Sequence, residues 1–391
     1  MTNKTKEVKR AFKFRFYPTP DQEHILLRTW GAVRLVYNKA LEERHRAWYE
    51  RQENVSYADT SAMLSKWRNS EELGFLSETS SVPQQQSLRH LQKAYSNFWA
   101  KRAGYPKFKS RRKSNLSLEY SKSGFRFKDG QLFLAKMSEP LDMVVSRPFP
   151  EDTASTVTIS QNKAGQWFVS ILCEDTVTEL PKTGESVGVD LGVKDAVVLS
   201  TGEKINPPKR SVERAERKIL RDQKRLSKKV RGSKNWEKAR LKLARSHQEL
   251  SDIKELWLHE TTTDLVRRFD MIALEDLNVR GMTASAKGTK EKPGKNVRQK
   301  AGLNRGILSN NLGEFRRMVE YKSDWYGKDA VVIDRFYPST KTCSVCSTIN
   351  TRLTLRDRVW VCEQCGSEHD RDINAAKNIE AAGRAVLVCG V

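Results

Sequence analysis

"ESVGVDLGVKDAVVLSTGEKI", residues 185 to 205, is an apolar run that admits a carboxylate at Asp190, turns, and becomes apolar again. Short apolar runs punctuated by Gly and Asp predict a buried strand, a tight turn and a second strand. A carboxylate inside such a strand is costly unless it is paired or bound to a metal, so Asp190 asks for a function. Gly188 and Gly192, on either side of it, leave room for a ligand or another backbone to approach. A second apolar run, "DMIALEDLN" at 270–278, meets an acid in the same way at Glu275. Two strands each deliver one carboxylate.

A third acid comes from "HDRDINAAKNI", residues 369–379, the start of an alanine-rich helix with two candidate aspartates. Counted from Asp372, positions three, four and seven later are Ala375, Ala376 and Ile379, a small apolar face suited to close packing on a sheet. Asp372 begins that stripe, whereas Asp370 lies about 200° away around the axis at 100° per residue. Asp372 is therefore expected to point at whatever the helix covers, and the competing reading is an ordinary helix cap. Three carboxylates on separate elements suit Mg²⁺, and a pair of such ions can serve phosphodiester cleavage. Asp195, Asp276 and Asp334 are read as bystanders, the first two solvated.

Just upstream lies "CSVCSTINTRLTLRDRVWVCEQCGSEHD", residues 343–370. Cys343 with Cys346 and Cys362 with Cys365 form two C-x-x-C pairs, fifteen residues apart. Four thiolates on two such turns match tetrahedral zinc with no open position, which makes the zinc structural. The intervening "TRLTLRDRVWVC", 351–362, is read as the hairpin of a ribbon. His369 is expected to join a polar network rather than act as a fifth ligand.

The rest of the chain has two textures. "KRAFKFRFYP", 9–18, alternates basic with apolar residues, which predicts a strand ended by Pro18 and Pro20. Helical spacing follows from Asp21 to about Lys101, then a basic aromatic loop at 104–114, then short strand-like runs between Leu116 and Leu180. The first strand needs partners, and the later runs supply them with the helical block inserted between. From about Ser211 to Arg268 a helical hairpin turns at "RGSKNW", 231–236. The lysine-rich stretch 284–306 reads as mobile, and 313–340 as a helix followed by a strand.

At 391 residues the chain is long enough for two or three domains. Lys and Arg total 71 against 48 Asp and Glu, a formal charge of +23, which points to a polyanionic partner, with nucleic acid favoured over a membrane. No apolar run approaches the ~20 residues of a bilayer span, and the basic N-terminus lacks an apolar export region.

In order, "GVDLGVKDAVVLSTG", "IALEDLN", "VRQKAGLNRGIL", the "CSVC…CEQC" ribbon and "DRDINAAKNI" make the chain resemble the TnpB family nearly end to end. These are transposon-encoded RNA-guided DNA endonucleases related to the compact type V CRISPR effectors. The resemblance implies an α+β and α/β multidomain fold. It would have a wedge β-barrel at 1–17 and 116–180 and a helical recognition domain at 18–115. A RuvC-like, RNase H-like nuclease domain would span 181–339 and 369–391, with a zinc ribbon inserted at 340–368. It places the family's catalytic acids on Asp190, Glu275 and Asp372 and implies Mg²⁺ for catalysis. Its partners would be a guide RNA derived from the transposon end, one protein per guide, and duplex target DNA carrying a short transposon-adjacent motif, in a prokaryotic cytoplasm near the nucleoid. Two departures stand out: Ser347 replaces the Gly usual after the second Cys, and "IKELWLH", 253–259, replaces a pattern with Asp or Asn before an aromatic.

Three segments are candidates for holding nucleic acid. Arg221, Lys224, Arg225, Lys228, Lys229 and Arg231 on the hairpin either line a heteroduplex or form a solvated face. Tyr105 and Phe108 among Lys107, Lys109, Arg111, Arg112 and Lys113 combine stacking with phosphate neutralisation, against a plain linker. Gln84, Gln85 and Gln86 at a helix start could read base edges through their amides, or simply cap the helix. Besides RNA-guided cleavage, two other readings stay open: an RNA-guided repressor that does not cut, and a transposase that uses the same fold without RNA.

Overall fold

The computed structural model describes residues 4–354 and 356–389, in two compact units: Glu7–Thr176, and Met1–Lys6 with Val177–Val391. Each has its own cores.

In the first unit, strand β1 (Thr5–Phe16) turns Phe12, Phe14 and Phe16 inward while Lys13 and Arg15 project over the Phe168 ring. Helices α1 (Pro20–Arg51), α2 (Tyr57–Arg68) and α3 (Ser81–Trp99) follow. The strand-to-helix switch is written locally: Thr19 caps α1 through a reciprocal box with Gln22, and Pro20 occupies the first turn, where no N–H is needed. Leu41, Leu64, Leu76, Leu88 and Leu91 close a helical core. Strands β2 (Leu116–Ser121), β3 (Phe125–Lys128), β4 (Gln131–Leu134), β5 (Met143–Val144), β6 (Ala154–Gln161) and β7 (Trp167–Thr178) complete the unit. The order β2-β6-β7-β1-β5 joins the first strand to the later ones, as its unpaired edges required. Among the described residues these five strands form a sheet with two edges rather than the hydrogen-bonded ring expected of a barrel. The β3–β4 hairpin instead packs Leu132 and Leu134 onto the same core.

The second unit is built on β8 (Ser186–Asp190), β9 (Val197–Leu199), β10 (Lys204–Ile205), β11 (Met271–Glu275) and β12 (Asp329–Ile333) in the order β10-β9-β8-β11-β12. Strands β8, β11 and β12 are parallel and the β9–β10 side is antiparallel. The crossovers are the hairpin α4 (Lys209–Ser227) and α5 (Lys234–Arg268), then α6 (Val279–Met282), α7 (Val297–Ser309) and α8 (Leu312–Tyr326). One sheet face, through Val187, Val189, Ile272 and Leu274, packs on α5 and α8 with Trp257, Leu265, Phe315 and Val319. Lys322 straps those two helices, donating to the His259 carbonyl and to the Thr262 and Thr263 hydroxyls at 2.7–2.8 Å, and burial pushes its ammonium down to about 8.

The opposite face carries Met271, Ala273, Val331 and Ile333 and is covered by α9 (Arg371–Cys389) through Ile379, Ala382 and Val386. A Cβ at Gly188 would overlap the Ala376 carbonyl oxygen, and one at Gly383 would crowd Ala273. Gly188 thus serves the approach of another backbone, one of the two uses the sequence left open. Between β12 and α9 the chain forms a ribbon in which β13 (Val359–Val361) pairs with β14 (Glu368–Asp370).

The stretch 284–306, expected to be mobile, carries α7 in its second half, with Ile307 buried at its end. One expectation needs correction. The ribbon hairpin is not 351–362: its strands flank the second Cys pair, since the Val359–Asp370 register brings Cys362 and Cys365 together at the turn.

Candidate active site and cysteine ribbon

Strand register sets the first two acids side by side. Val189 pairs with Leu274 on the adjacent parallel strand, so the next residues, Asp190 and Glu275, stand together at the carboxyl ends of β8 and β11. By two-residue alternation they share the face of Gly188 and Ala273, the face α9 covers. Asp372 lies in the first turn of α9, one turn before Ala376, and so reaches the same end of the sheet.

Their electrostatics record the meeting. Burial first, then the charges of Glu275 and Asp372, push Asp190 up to about 7, against the pull of Arg371 and the Leu191 N–H. Burial also raises Glu275, opposed by a hydrogen bond from the Ser339 hydroxyl. Arg358 reaches Asp372 at 3.4 Å. Among the described residues the three carboxylates do not gather within 4.8 Å of one another, as the four cysteines do. A set of oxygen donors that raises the pKa of its own member fits hard divalent cations.

The two aspartates of the α9 start separate cleanly. Asp370 is the cap: its Oδ1 accepts from the Asp372 and Ile373 N–H groups at 3.0 and 3.1 Å, and Lys204 pairs with its other oxygen at 2.7 Å. Asp372 is therefore free of capping duty. Asp276 is less solvated than expected, being held by Arg316 and Arg335, while Asp195 accepts from Asn206 and Asp334 from the Phe336 N–H.

In the ribbon the four sulfurs lie within 4.8 Å of one another, with Cys343–Cys365 and Cys346–Cys362 at 3.6 Å. Tetrahedral Zn–S bonds of about 2.3 Å put sulfurs about 3.8 Å apart, so the donors fit zinc. The two turns repeat one pattern. Ser347 and Gly366 N–H donate to the Cys343 and Cys362 carbonyls, and the Cys343 and Cys362 N–H groups donate to Thr348 and Ser367, all at 2.8–2.9 Å. Ser347 has φ +62° where Gly366 has +74°, so the serine takes a glycine's conformation. The Thr348 and Ser367 hydroxyls lower Cys346, to about 6, and Cys365, whereas burial pushes Cys343 up to about 11. His369 is buried against Trp360, its Nε2 3.1 Å from the Cys343 sulfur, in a polar network as expected.

Sequence reasoning missed the groups that tie ribbon to acids. Asn374 Nδ2 donates to the Thr342 carbonyl at 2.7 Å while its Oδ1 accepts from the Ser344 N–H at 2.9 Å. Asn378 Nδ2 donates to the Ser339 and Thr342 carbonyls. The chain leading into the first Cys turn is thus pinned to the helix bearing Asp372. Two asparagines four apart on a helix that begins at a predicted acid were the available signal.

The nucleic-acid candidates divide. Arg221, Lys224, Arg225 and Lys228 are exposed and, with Arg217, line one shallow depression of α4, and Lys229 and Arg231 are exposed at its turn. Lys107, Phe108, Arg111, Arg112 and Lys113 are exposed, and Tyr105 packs edge-on against Phe98. Lys109 is a correction: its ammonium sits 4.1 Å over the Tyr37 ring, and burial lowers it. Gln84 and Gln86 are corrections too, because both are buried. Gln84 is wholly enclosed, donating to the Leu76 carbonyl and Thr79 and accepting from Arg68, which leaves no amide for a base. Gln85 donates to the Tyr57 and Ser61 hydroxyls.

Among the described residues no helix is long and apolar enough to cross a membrane. Residues 169–286 match the family described as "Probable transposase", and 313–379 one described as "Cas12f1-like, TNB domain". Residues 5–53 match a "Helix-turn-helix domain", although here they form one strand and the single helix α1. A Streptomyces pristinaespiralis protein named "Putative RNA-guided DNA endonuclease" is 51% identical over 98% of this chain and 92% of its own length. InsQ of Escherichia coli (strain K12), named likewise, is 36% identical over 97% of this chain and 94% of its own. The cryo-EM structure of a Cas12f1–sgRNA–target DNA complex aligns with TM-score 0.55 at 12% identity, covering 96% of this chain and 99% of that one, a likeness of fold alone. Shared residues over nearly its full length with proteins of that name make the chain a member of the TnpB family, the transposon-associated RNA-guided DNA endonucleases.

Proposed function

We propose that the chain cuts DNA through Asp190, Glu275 and Asp372 on an RNase H-like sheet, guided by an RNA from the transposon end. The register that sets Asp190 beside Glu275 under the helix carrying Asp372 is the observation that supports this most directly. The three carboxylates would hold Mg²⁺, which supplies Lewis acidity at the scissile phosphate and an activated water. Asp190, whose carboxyl is raised by burial and by its two acidic neighbours, would gain most from a bound cation, with Glu275 and Asp372 as the other ligands. Ser339 orients Glu275 through its hydroxyl. Arg358, beside Asp372, would be available to neutralise a phosphate. Zinc in Cys343, Cys346, Cys362 and Cys365 would be structural.

Four functional parts are assigned on this reading. Residues 1–17 with 116–180 form a wedge, and 18–115 a helical recognition insertion. The nuclease domain comprises 181–339 with 369–391, and the ribbon 340–368. Sequence is read by guide–target pairing, and the protein reads only the short adjacent motif. Alanine at Asp190, Glu275 or Asp372 should abolish Mg²⁺-dependent cleavage while RNA-guided DNA binding persists. Full cleavage by the Asp372→Ala protein would refute the assignment. Serine at Cys362 should release zinc and lower the thermal midpoint, and unchanged zinc content would contradict the ribbon's role.

A further inference from the structure

A cleft of about 490 Å³ opens where the last turns of α1 and α3 meet, its rings being Trp48, Tyr49, Phe98, Trp99 and Tyr105 and its charges Arg44 and Glu53. Its size falls in the usual range for ligand clefts, about 300–1,000 Å³. The spacing puts it there: Arg44 and Trp48, like Tyr95 and Trp99, are four apart on their helices and share a face. Tyr95 underlies the cleft, its ring 5.4 Å from Trp99 and its hydroxyl 3.0 Å from that of Tyr105. Trp48, Tyr49 and Trp99 are 54, 63 and 56% exposed. Three large rings so displayed on one cleft need an occupant more than a scattered apolar residue would.

Charge says which occupant. Arg44 is buried, over the Tyr95 ring at 4.3 Å, and its NH1 donates to Gln92 at 2.8 Å. Among the described residues no carboxylate lies within ion-pair distance of it, and burial lowers its pKa. A buried guanidinium at an aromatic cleft, offset only by the more distant charge of Asp59, calls for an electron-rich polar ligand. The acids nearby are already taken: Glu43 and Glu53 pair with Arg51, and Glu42 and Glu50 with Arg46. Just past the cleft the chain exposes Lys101, Arg102, Lys107, Arg111 and Arg112, a basic path for a phosphate backbone. Bounded on several sides, the cleft suits one splayed-out base rather than a tracked strand, and looped-out bases are how proteins read folded RNA.

We propose that this cleft receives an unpaired nucleobase of the bound RNA, stacked on Trp48, Tyr49 and Trp99 with Arg44 meeting its carbonyl edge. The inference rests on the RNA partner in the proposed function and is independent of the acid site.

The test uses the full chain purified with its RNA. After 254 nm irradiation, mass spectrometry should find a ribonucleotide adduct on a peptide containing Trp48 and Tyr49, or Trp99 and Tyr105. Separately, the RNA recovered from that complex is rebound to RNA-free protein. Trp48→Ala/Trp99→Ala should bind it about 5- to 150-fold more weakly, the equivalent of one lost stack. Both side chains are exposed, so the thermal midpoint should stay put, and Trp48→Phe/Trp99→Phe should recover most of the affinity. Wild-type RNA affinity in the double alanine variant, without an adduct, would overturn the proposal and leave the nuclease reading standing. A deoxyribonucleotide adduct from target DNA, with RNA affinity intact, would also overturn it, assigning the cleft to DNA. Wild-type chain that retained no RNA would sink both readings.

Discussion

Asp370 and Asp372 are two residues apart, yet the first ends β14 and caps α9 while the second lies in the helix's first turn. Asp370 caps α9 and pairs with Lys204, so Asp370→Ala should cost about 1 kcal/mol of stability in denaturant titrations and leave cleavage within a few-fold. Asp372→Ala should show the reverse: an intact midpoint and no cleavage. Ser347 offers a second single-residue test. It holds φ +62° where its counterpart Gly366 holds +74°, a conformation that costs a residue with a Cβ about 1 kcal/mol. Ser347→Gly should slow zinc loss to a chelator by up to several-fold, less whatever the freer unfolded chain takes back. Gly366→Ala should speed it. Equal rates in all three proteins would mean that the turn conformation does not limit metal retention.

At the scale of elements, the contact between β8 and α9 governs the acid site. Helix and strand meet backbone to backbone at Gly188, and the helix carries Asp372 while the strand carries Asp190. Gly188→Ala would press a methyl into the Ala376 carbonyl, so the helix must back away. The expected loss is about 1–3 kcal/mol, with a drop in cleavage larger than the stability loss explains, because Asp372 moves with the helix. Denaturation and cleavage measured on the same preparation decide it: a destabilised protein with wild-type cleavage would show that α9 can shift without moving Asp372. The asparagines at 374 and 378 extend the element's reach to the ribbon, so α9 serves as cover for the sheet, carrier of an acid and anchor for the first Cys turn.

For the whole molecule, a charge of +23 has to be apportioned among faces. The α4 stripe of Arg221, Lys224, Arg225 and Lys228 is exposed and, among the described residues, most of its charges have no ion-pair partner, Arg225 leaning on Asp222 at 3.6 Å. If it lines the guide–target duplex, glutamine at all four should flatten the plot of log affinity against log salt by about 0.7–0.9 per lost contact, up to about 3.6 in total. An unchanged slope would take the hairpin off the nucleic-acid path.

Strand, helix and metal-turn patterns were legible in the residues themselves, since alternation, helical phase and C-x-x-C spacing are properties of neighbours along the chain. The phase count favoured Asp372 over Asp370, and the capping bonds that Asp370 accepts agree with that choice. Partnerships between distant residues were not legible. Gln84 looked like a free amide until Arg68 and Thr79 closed on it, and Lys109 like a phosphate binder until it lay over Tyr37. The sequence by itself determined the cysteine turns and most of the strands and helices, though not the ribbon's hairpin or α7, because those follow from local sterics and periodic burial. Only the tertiary structure decided which acids stand together and which polar groups are already spent, because a carboxylate's or an amide's availability depends on neighbours that folding brings in from far along the chain.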